Sequence, residues 1–269
     1  MIVWLASYPK SGNTWLRAIL STLIYSKDGK FKPEFLNKIF AFPAYTHFKK
    51  FTDNIGDINE IKKYWITVQE NLNLDNNIKF IKTHHVNCKI DNYKFTDKKN
   101  TQAAIYLVRD PRNVVTSLSN YFGLKTEEAV KRITNPLTYA GKKDVATIVG
   151  SWSQNYNSWK NTENLYLIKY EDLIKNTHIE INKLFLFLKT KCNLNINSNI
   201  NINEIIESTS FENLQNMENK KLLDLPVNNG KNFFFLGKKN NWENILDKKS
   251  AKDIEEFFKH EMTELGYLR

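Results

Sequence analysis

Four short apolar runs constrain the fold of this chain most strongly. They read IVWLA, IKFIKT, AAIYLVR and LYLIKY, and each is followed by turn residues and then by a longer segment with helical spacing. Buried strands that alternate with helices are typical of a parallel sheet flanked by helices. The sequence therefore predicts an α/β fold with a central parallel sheet, and the length of 269 residues fits one domain over 1–269.

The stretch SYPKSGNTWLR, which follows the first run, predicts an anion-binding turn. A helix that begins near Asn13 or Thr14 leaves free backbone N–H groups at its N-terminus, where the helix dipole also favours negative charge. P-loop nucleotide triphosphatases use the same arrangement, so the predicted fold is P-loop-like. Their lysine follows the second glycine, however, whereas Lys10 precedes Gly12. A capped turn with an exposed lysine is the structural alternative.

A second motif, IYLVRDPRNVVTSLSNYF, predicts a strand end followed by a helix. Asp110 can cap the helix and Pro111 can occupy its first position. Arg109 then lies at the strand end and Ser117 in the second helical turn. A guanidinium and a hydroxyl that face the same gap suit a phosphate group. The structural alternative is an Arg–Asp pair that caps the helix.

A third motif, IKTHH, ends another apolar run. The carboxyl ends of parallel strands meet at one edge of a sheet, so Lys82 and His84 are expected to lie near the Lys10 loop. We interpret His84 as catalytic, while His85 points the other way on an extended chain. A metal site built from His84, His85 and Cys88 is not expected, because adjacent residues on a strand diverge.

Taken in order, these motifs resemble those of the cytosolic-type sulfotransferases. These enzymes move a sulfuryl group from 3′-phosphoadenosine 5′-phosphosulfate (PAPS) to an acceptor and leave adenosine 3′,5′-bisphosphate. YPKSGNTW resembles the family's loop for the 5′-phosphosulfate, RDPRNVVTS its 3′-phosphate motif, and KTH its catalytic-histidine segment. GSWSQNYNSW, YEDL and TSF resemble later family segments, so the resemblance covers nearly the whole chain.

The resemblance implies a PAPS site and a metal-free transfer. His84 is the implied general base, and Lys10 and Lys82 are the implied cations near the sulfuryl group. The implied nucleotide-binding residues are Lys10, Ser11, Gly12, Asn13, Thr14, Trp15, Arg109, Ser117, Tyr170, Thr209, Phe211, Gly237 and Lys238. We expect Phe42, Tyr45, Tyr139 and Trp152 to line the acceptor site, with core packing as the alternative explanation of these aromatic side chains.

One segment departs from the family pattern. The family closes over the nucleotide with Arg-Lys-Gly, whereas this chain has Phe235 and Leu236 before Gly237. The arginine for the 3′-phosphate is therefore missing at its position. Lys238, Lys239 and Lys231 are the candidates to replace it, and otherwise this half of the site is weaker.

Charge and composition limit the function class. The 39 Lys and Arg against 29 Asp and Glu give a net charge of +10, which favours an anionic ligand. The two cysteines, Cys88 and Cys192, argue against a disulfide scaffold and a zinc site, and no run reaches the length of a membrane span. We expect a cytoplasmic enzyme with a small-molecule acceptor and no nucleic-acid partner, of open oligomeric state. The alternative is a P-loop-type nucleotide kinase or another phosphoryl transferase.

Overall fold

A parallel five-stranded sheet forms the centre of the molecule. The computed structural model describes residues 1–136, 138–139, 145–225, 232–237 and 240–268. The strands of the described chain are β1 (Ile2–Ser7), β2 (Phe40–Ala41), β3 (Lys79–Thr83), β4 (Lys89–Ile90), β5 (Tyr93–Lys94), β6 (Thr101–Val108), β7 (Thr138–Tyr139), β8 (Thr147–Ile148) and β9 (Leu165–Lys169). The central sheet has the order β2-β3-β1-β6-β9 and all of its pairs are parallel. β4 with β5, and β7 with β8, form two short antiparallel pairs.

Helices connect and cover these strands. The α-helices are α1 (Asn13–Tyr25), α2 (Glu34–Asn37), α3 (Tyr45–Phe48), α4 (Ile58–Ile61), α5 (Trp65–Asn73), α6 (Pro111–Phe122), α7 (Thr126–Thr134), α8 (Trp152–Trp159), α9 (Tyr170–Lys175), α10 (Thr177–Lys191), α11 (Ile202–Ser208), α12 (Phe211–Asn219), α13 (Lys248–Phe257) and α14 (Lys259–Glu264). Short 3₁₀ turns occupy Lys62–Tyr64 and Trp242–Asn244. No helix of these described ranges is long and apolar enough to cross a membrane.

Alternate residues of the central strand build two cores. Trp4 lies in a cluster with side chains of α5, α6, α8 and α13, whereas Leu5 lies in a cluster with side chains of α1, α10 and α11. Successive strand residues point to opposite faces, so both faces of the sheet are covered. The fold is therefore the predicted α/β architecture, and all four apolar runs form strands of the central sheet.

Local capping signals place the two helices that begin at the carboxyl edge of the sheet. α1 begins at Asn13, directly after Gly12, and the backbone of Gly12 has a left-handed conformation. α6 begins at Pro111, and the Asp110 side chain accepts a hydrogen bond from the backbone N–H of Arg112. Both helix starts agree with the sequence prediction, and both place backbone N–H groups at the same edge of the sheet.

Candidate active site

A cavity of about 230 Å³ lies at the carboxyl edge of the sheet. Eight of the predicted nucleotide-binding residues line it: Lys10, Gly12, Trp15, Arg109, Ser117, Tyr170, Phe211 and Gly237. They come from the loop after β1, the end of β6, helices α1, α6, α9 and α12, and the described segment 232–237. The structure thus brings together residues that are more than 200 positions apart in the sequence.

Gly12 allows the loop to lie close to an aromatic ring. Its φ angle is +98°, a left-handed conformation that glycine adopts without a steric cost. A Cβ atom at this position would lie 2.5 Å from Cδ2 of Tyr170. Next to it, the hydroxyl of Ser11 is buried and has no hydrogen-bond partner among the described residues. The loop therefore combines a closely packed turn with an unused polar group.

Arg109 is held at the end of β6, and not all of its N–H groups have a partner among the described residues. One terminal nitrogen donates to the backbone carbonyl of Lys10 at 3.0 Å, and the guanidinium lies 4.2 Å from the centre of the Tyr170 ring. Its Nε is buried without a partner in the described chain. The carboxylate of Asp110 pairs instead with Arg112 at 2.7 Å, so the Arg–Asp alternative applies to Arg112 and not to Arg109.

Lys10 reaches into an aromatic environment. Its Nζ lies 3.5 Å from the ring centre of Tyr121 and 4.4 Å from that of Phe233, distances at which a cation is attracted to an aromatic face. Burial, with a further contribution from the positive charge of Arg109, lowers the pKa of Lys10 to about 7. Lys10 is therefore not the exposed lysine of the structural alternative, and an anion that enters the cavity would favour its protonated form.

The aromatic segment, residues 232–237, closes one side of the cavity. The buried carboxylate of Glu218, on α12, accepts from the backbone N–H groups of Phe233 at 2.6 Å and Phe234 at 2.8 Å. Gly237 has a φ angle of +52°, and a Cβ there would lie 2.8 Å from the Phe211 ring. The contacts of Tyr121 and Phe233 with Lys10 were not predicted from the sequence. The triplet Phe233 to Phe235 was a signal for the second contact, and Tyr121 lies in the motif that carries Arg109.

His84 lies beside the loop with a defined tautomer. Its Nδ1 is 2.7 Å from the carbonyl oxygen of Ser7, and because a carbonyl only accepts, Nδ1 carries the proton. Nε2 is then the unprotonated nitrogen. Burial lowers the pKa of His84 well below its usual value, and the positive charge of Lys82 lowers it further. The imidazole is therefore neutral near pH 7 and able to accept a proton.

Lys82 lies on the same strand end. Burial lowers its pKa to about 7, and the positive charge of Arg17 adds to this effect. His85 has a different environment, since its ring stacks on Phe95 at 4.3 Å and its Nδ1 contacts the carbonyl of Val86. The two neighbouring histidines thus point in different directions, as the extended strand predicts.

Several predicted residues lie behind the cavity wall. The side chain of Asn13 donates to the Ser7 hydroxyl and to the carbonyl of Leu5, so it anchors the loop to β1. Thr209 is buried and its backbone carbonyl accepts from the Trp15 indole at 2.9 Å. Ser11 and Thr14 are also buried. Lys238, Lys239 and Lys231 lie outside the described residues.

The predicted acceptor residues differ in their exposure to solvent. Phe42 and Trp152 are 2% and 1% exposed and belong to the core, where Trp152 packs on Phe258 and donates to the carbonyl of Arg109. Their large apolar rings are buried between sheet and helices, which favours the core explanation, and an acceptor role for either residue stays a prediction. Tyr45 on α3 is 53% exposed. Tyr139 is part of β7, and its side chain lies outside the described part of the structure.

Comparisons with known proteins give one consistent result. A family model described as "Sulfotransferase domain" matches residues 2–266. Sulfotransferase 2A1 of Homo sapiens is 24% identical over 98% of this chain and 85% of its own length, and cytosolic sulfotransferase 15 of Arabidopsis thaliana is 24% identical over 91% and 67%.

Two solved structures share the fold over 97% of this chain. Retinol dehydratase in a complex with retinol and PAP has a TM-score of 0.62 at 17% identity, over 81% of that protein. The mouse sulfotransferase SULT7A1 complexed with PAP has a TM-score of 0.58 at 22% identity, over 83% of that protein.

Proposed function

Since this chain belongs to the sulfotransferase domain family, we propose that it transfers a sulfuryl group from PAPS to a hydroxyl or amine of a small-molecule acceptor. One observation carries this proposal. The neutral imidazole of His84 contacts the backbone of Ser7, at the end of β1, and three residues further on the same loop carries Lys10 into the cavity, where Arg109 holds its carbonyl. An anion site and a base therefore adjoin each other.

The residues present fit an adenosine bisphosphate group. Arg109 and Ser117 line the same cavity, and a guanidinium with a hydroxyl there suits the 3′-phosphate. The backbone N–H groups at the start of α1 and the ammonium of Lys10 suit the 5′ side. Trp15, Tyr170 and Phe211 supply flat apolar surfaces on which an adenine ring can stack.

His84 would act as the general base. Its Nδ1–H is engaged by Ser7, so Nε2 accepts the proton of the acceptor hydroxyl or amine as the acceptor oxygen or nitrogen attacks sulfur. The bond from sulfur to the bridging oxygen breaks as the new bond forms, and the bisphosphate nucleotide leaves with the electron pair. The hydrogen bond to Ser7 keeps the ring oriented through this step.

Lys10 and Lys82 would stabilise the charge that develops during transfer. Sulfuryl transfer, like loose phosphoryl transfer, needs little covalent chemistry from the protein, so positioning and electrostatics dominate. Both ammonium groups are half-buried and have pKa values lowered to about 7, so each gains from a nearby anion. PAPS supplies the activated sulfuryl group when it is bound.

Calorimetry and a transfer assay test the proposal. We expect adenosine 3′,5′-bisphosphate to bind in the low micromolar range, and ATP and a DNA duplex to bind much more weakly. Product mass shifts with PAPS and a panel of phenols, alcohols, sugars and amines would identify the acceptor. Magnesium-dependent turnover of ATP without sulfuryl transfer would instead support the kinase alternative.

A further inference from the structure

Arg17 connects the loop helix to the edge of the sheet. It lies on α1, four residues after Asn13, and one terminal nitrogen donates to two backbone carbonyls, those of Leu36 at 2.8 Å and Ile39 at 2.9 Å. Leu36 belongs to α2 and Ile39 directly precedes β2. Charge-assisted hydrogen bonds of this kind are stronger than neutral ones. Arg17 therefore fixes the entry of the chain into β2.

β2 in turn contacts the strand that carries the proposed catalytic residues. Ala41 is the register partner of Lys82, and the backbone N–H of Phe42 donates to the carbonyl of Lys82 at 2.9 Å. The short strand is thus held at its start by Arg17 and at its end by Lys82. Through these bonds, α1 is connected to β3 by way of β2. This connection is separate from the one through β1, which precedes α1 and pairs with β3.

Within the described part of the chain, no carboxylate pairs with Arg17. The ion pairs formed by the described residues include neither Arg17 nor Lys82, and Nε of Arg17 is buried without a partner there. Burial of a guanidinium without a carboxylate is costly. Unless the charge has a use, an apolar side chain of similar length would be more favourable at this position.

From these contacts we propose that Arg17 is a positioning residue for the transfer reaction, which holds β2 against Lys82 and brings a permanent positive charge to the start of β2, the strand that pairs with Lys82. The inference rests on the proposed function. The groups that act on His84 are Lys82 from β3, Arg17 from α1, Lys10 from the loop and the Ser7 carbonyl from β1. Of these, the charge of Arg17 does not depend on pH in the range where the enzyme would work.

This charge has a specific electrostatic effect. A nearby positive charge disfavours protonation, so Arg17 helps to lower the pKa of both Lys82 and His84. Burial is the larger cause for both residues, and for His84 the charge of Lys82 is also a larger cause than that of Arg17. Removal of the charge should raise both pKa values. His84 would then become protonated at a higher pH, and the acidic limb of the rate profile would move upward.

The test compares Arg17→Met with Arg17→Lys in two measurements. One is the pH profile of kcat with PAPS, and the other is an NMR titration of the His84 ring without nucleotide. We expect Arg17→Met to move the acidic limb and the His84 titration to higher pH by about 0.5 unit or more. Arg17→Lys should keep the limb in place and lower kcat equally at all pH values, since one ammonium cannot reproduce the guanidinium geometry.

Arg132→Met is the matched control. Arg132 is half-buried on α7, and its NH1 has no partner among the described residues. It packs on Phe122 and is not among the groups that lower the pKa of Lys82 or His84. Arg132→Met should leave the acidic limb of the kcat profile and the titration of His84 unchanged. If Arg17→Met does not fold by circular dichroism, Arg17→Gln, which retains an amide donor, serves in its place.

An unshifted His84 titration in a folded variant without the Arg17 charge would overturn the inference. So would an equal shift in the Arg132 control. A parent protein that binds adenosine 3′,5′-bisphosphate but transfers nothing from PAPS would overturn the proposed function instead. Because the titration needs no activity, the two failures are distinguishable.

Discussion

Substitution of Gly12 by alanine should damage nucleotide binding more than stability alone explains. The φ angle of +98° costs a non-glycine residue about 1–3 kcal/mol. The added Cβ would lie 2.5 Å from the Tyr170 ring, against about 3.5 Å for an ordinary carbon contact, so the ring must move by about 1 Å. That ring lies against Arg109 and Trp15. The proposed 3′-phosphate and adenine contacts would therefore shift together.

We expect Gly12→Ala to weaken binding of adenosine 3′,5′-bisphosphate about tenfold or more in calorimetry, and to lower the free energy of unfolding in urea. Gly29→Ala is the matched control, because Gly29 has a φ angle of +84° and its added Cβ would lie 2.6 Å from a backbone carbonyl of Asn201. This variant should lose stability and keep the nucleotide affinity. Parent-like affinity in folded Gly12→Ala, or an equal loss in Gly29→Ala, would refute the reasoning.

Three further results are expected. Arg109→Ala removes a charge-assisted contact of about 1.5–3 kcal/mol and should weaken adenosine 3′,5′-bisphosphate binding by about ten- to a hundredfold; an unchanged affinity would remove Arg109 from the 3′-phosphate site. His84→Ala should lower single-turnover transfer by about 10²-fold with nearly unchanged nucleotide affinity, and a parent-like rate would refute the base assignment. Since burial lowers the pKa of Lys10 to about 7 and the side chain binds an anion only when protonated, nucleotide affinity should fall between pH 7 and 8.5, by up to about tenfold per pH unit. Lys10→Arg should abolish this pH dependence, and an affinity of the parent protein that does not change with pH would contradict the prediction.

Local signals made half of the site predictable. Gly12 before a helix start and the Asp110–Pro111 pair act within one turn of the chain, so their effect can be read from adjacent residues. The position of His84 followed from strand alternation and from the rule that parallel strands end at one edge. These inferences need no knowledge of distant contacts.

Long-range packing decided the rest. Phe42 and Trp152 have the composition of a pocket wall, but only the position of neighbouring helices shows that they are buried. β2 has two residues and no hydrophobic period of its own, and the hydrogen bonds at its two ends come from Arg17 and Lys82, which lie far from it in the sequence. The contact of Phe233 with Lys10 spans more than 200 residues and leaves no local pattern.

The central position of β1 has a consequence for synthesis of the protein. Leu5 pairs with Lys82 on one side and with Ile105 on the other, so the strand precedes its two partners by roughly 80 and 100 residues. Until both have left the ribosome, an apolar strand presents two unpaired edges. The loop that follows β1 also lacks its hydrogen bond from Arg109 until β6 is in place. Slow translation before residue 108 should therefore promote aggregation, which chaperones that hold extended apolar segments would relieve.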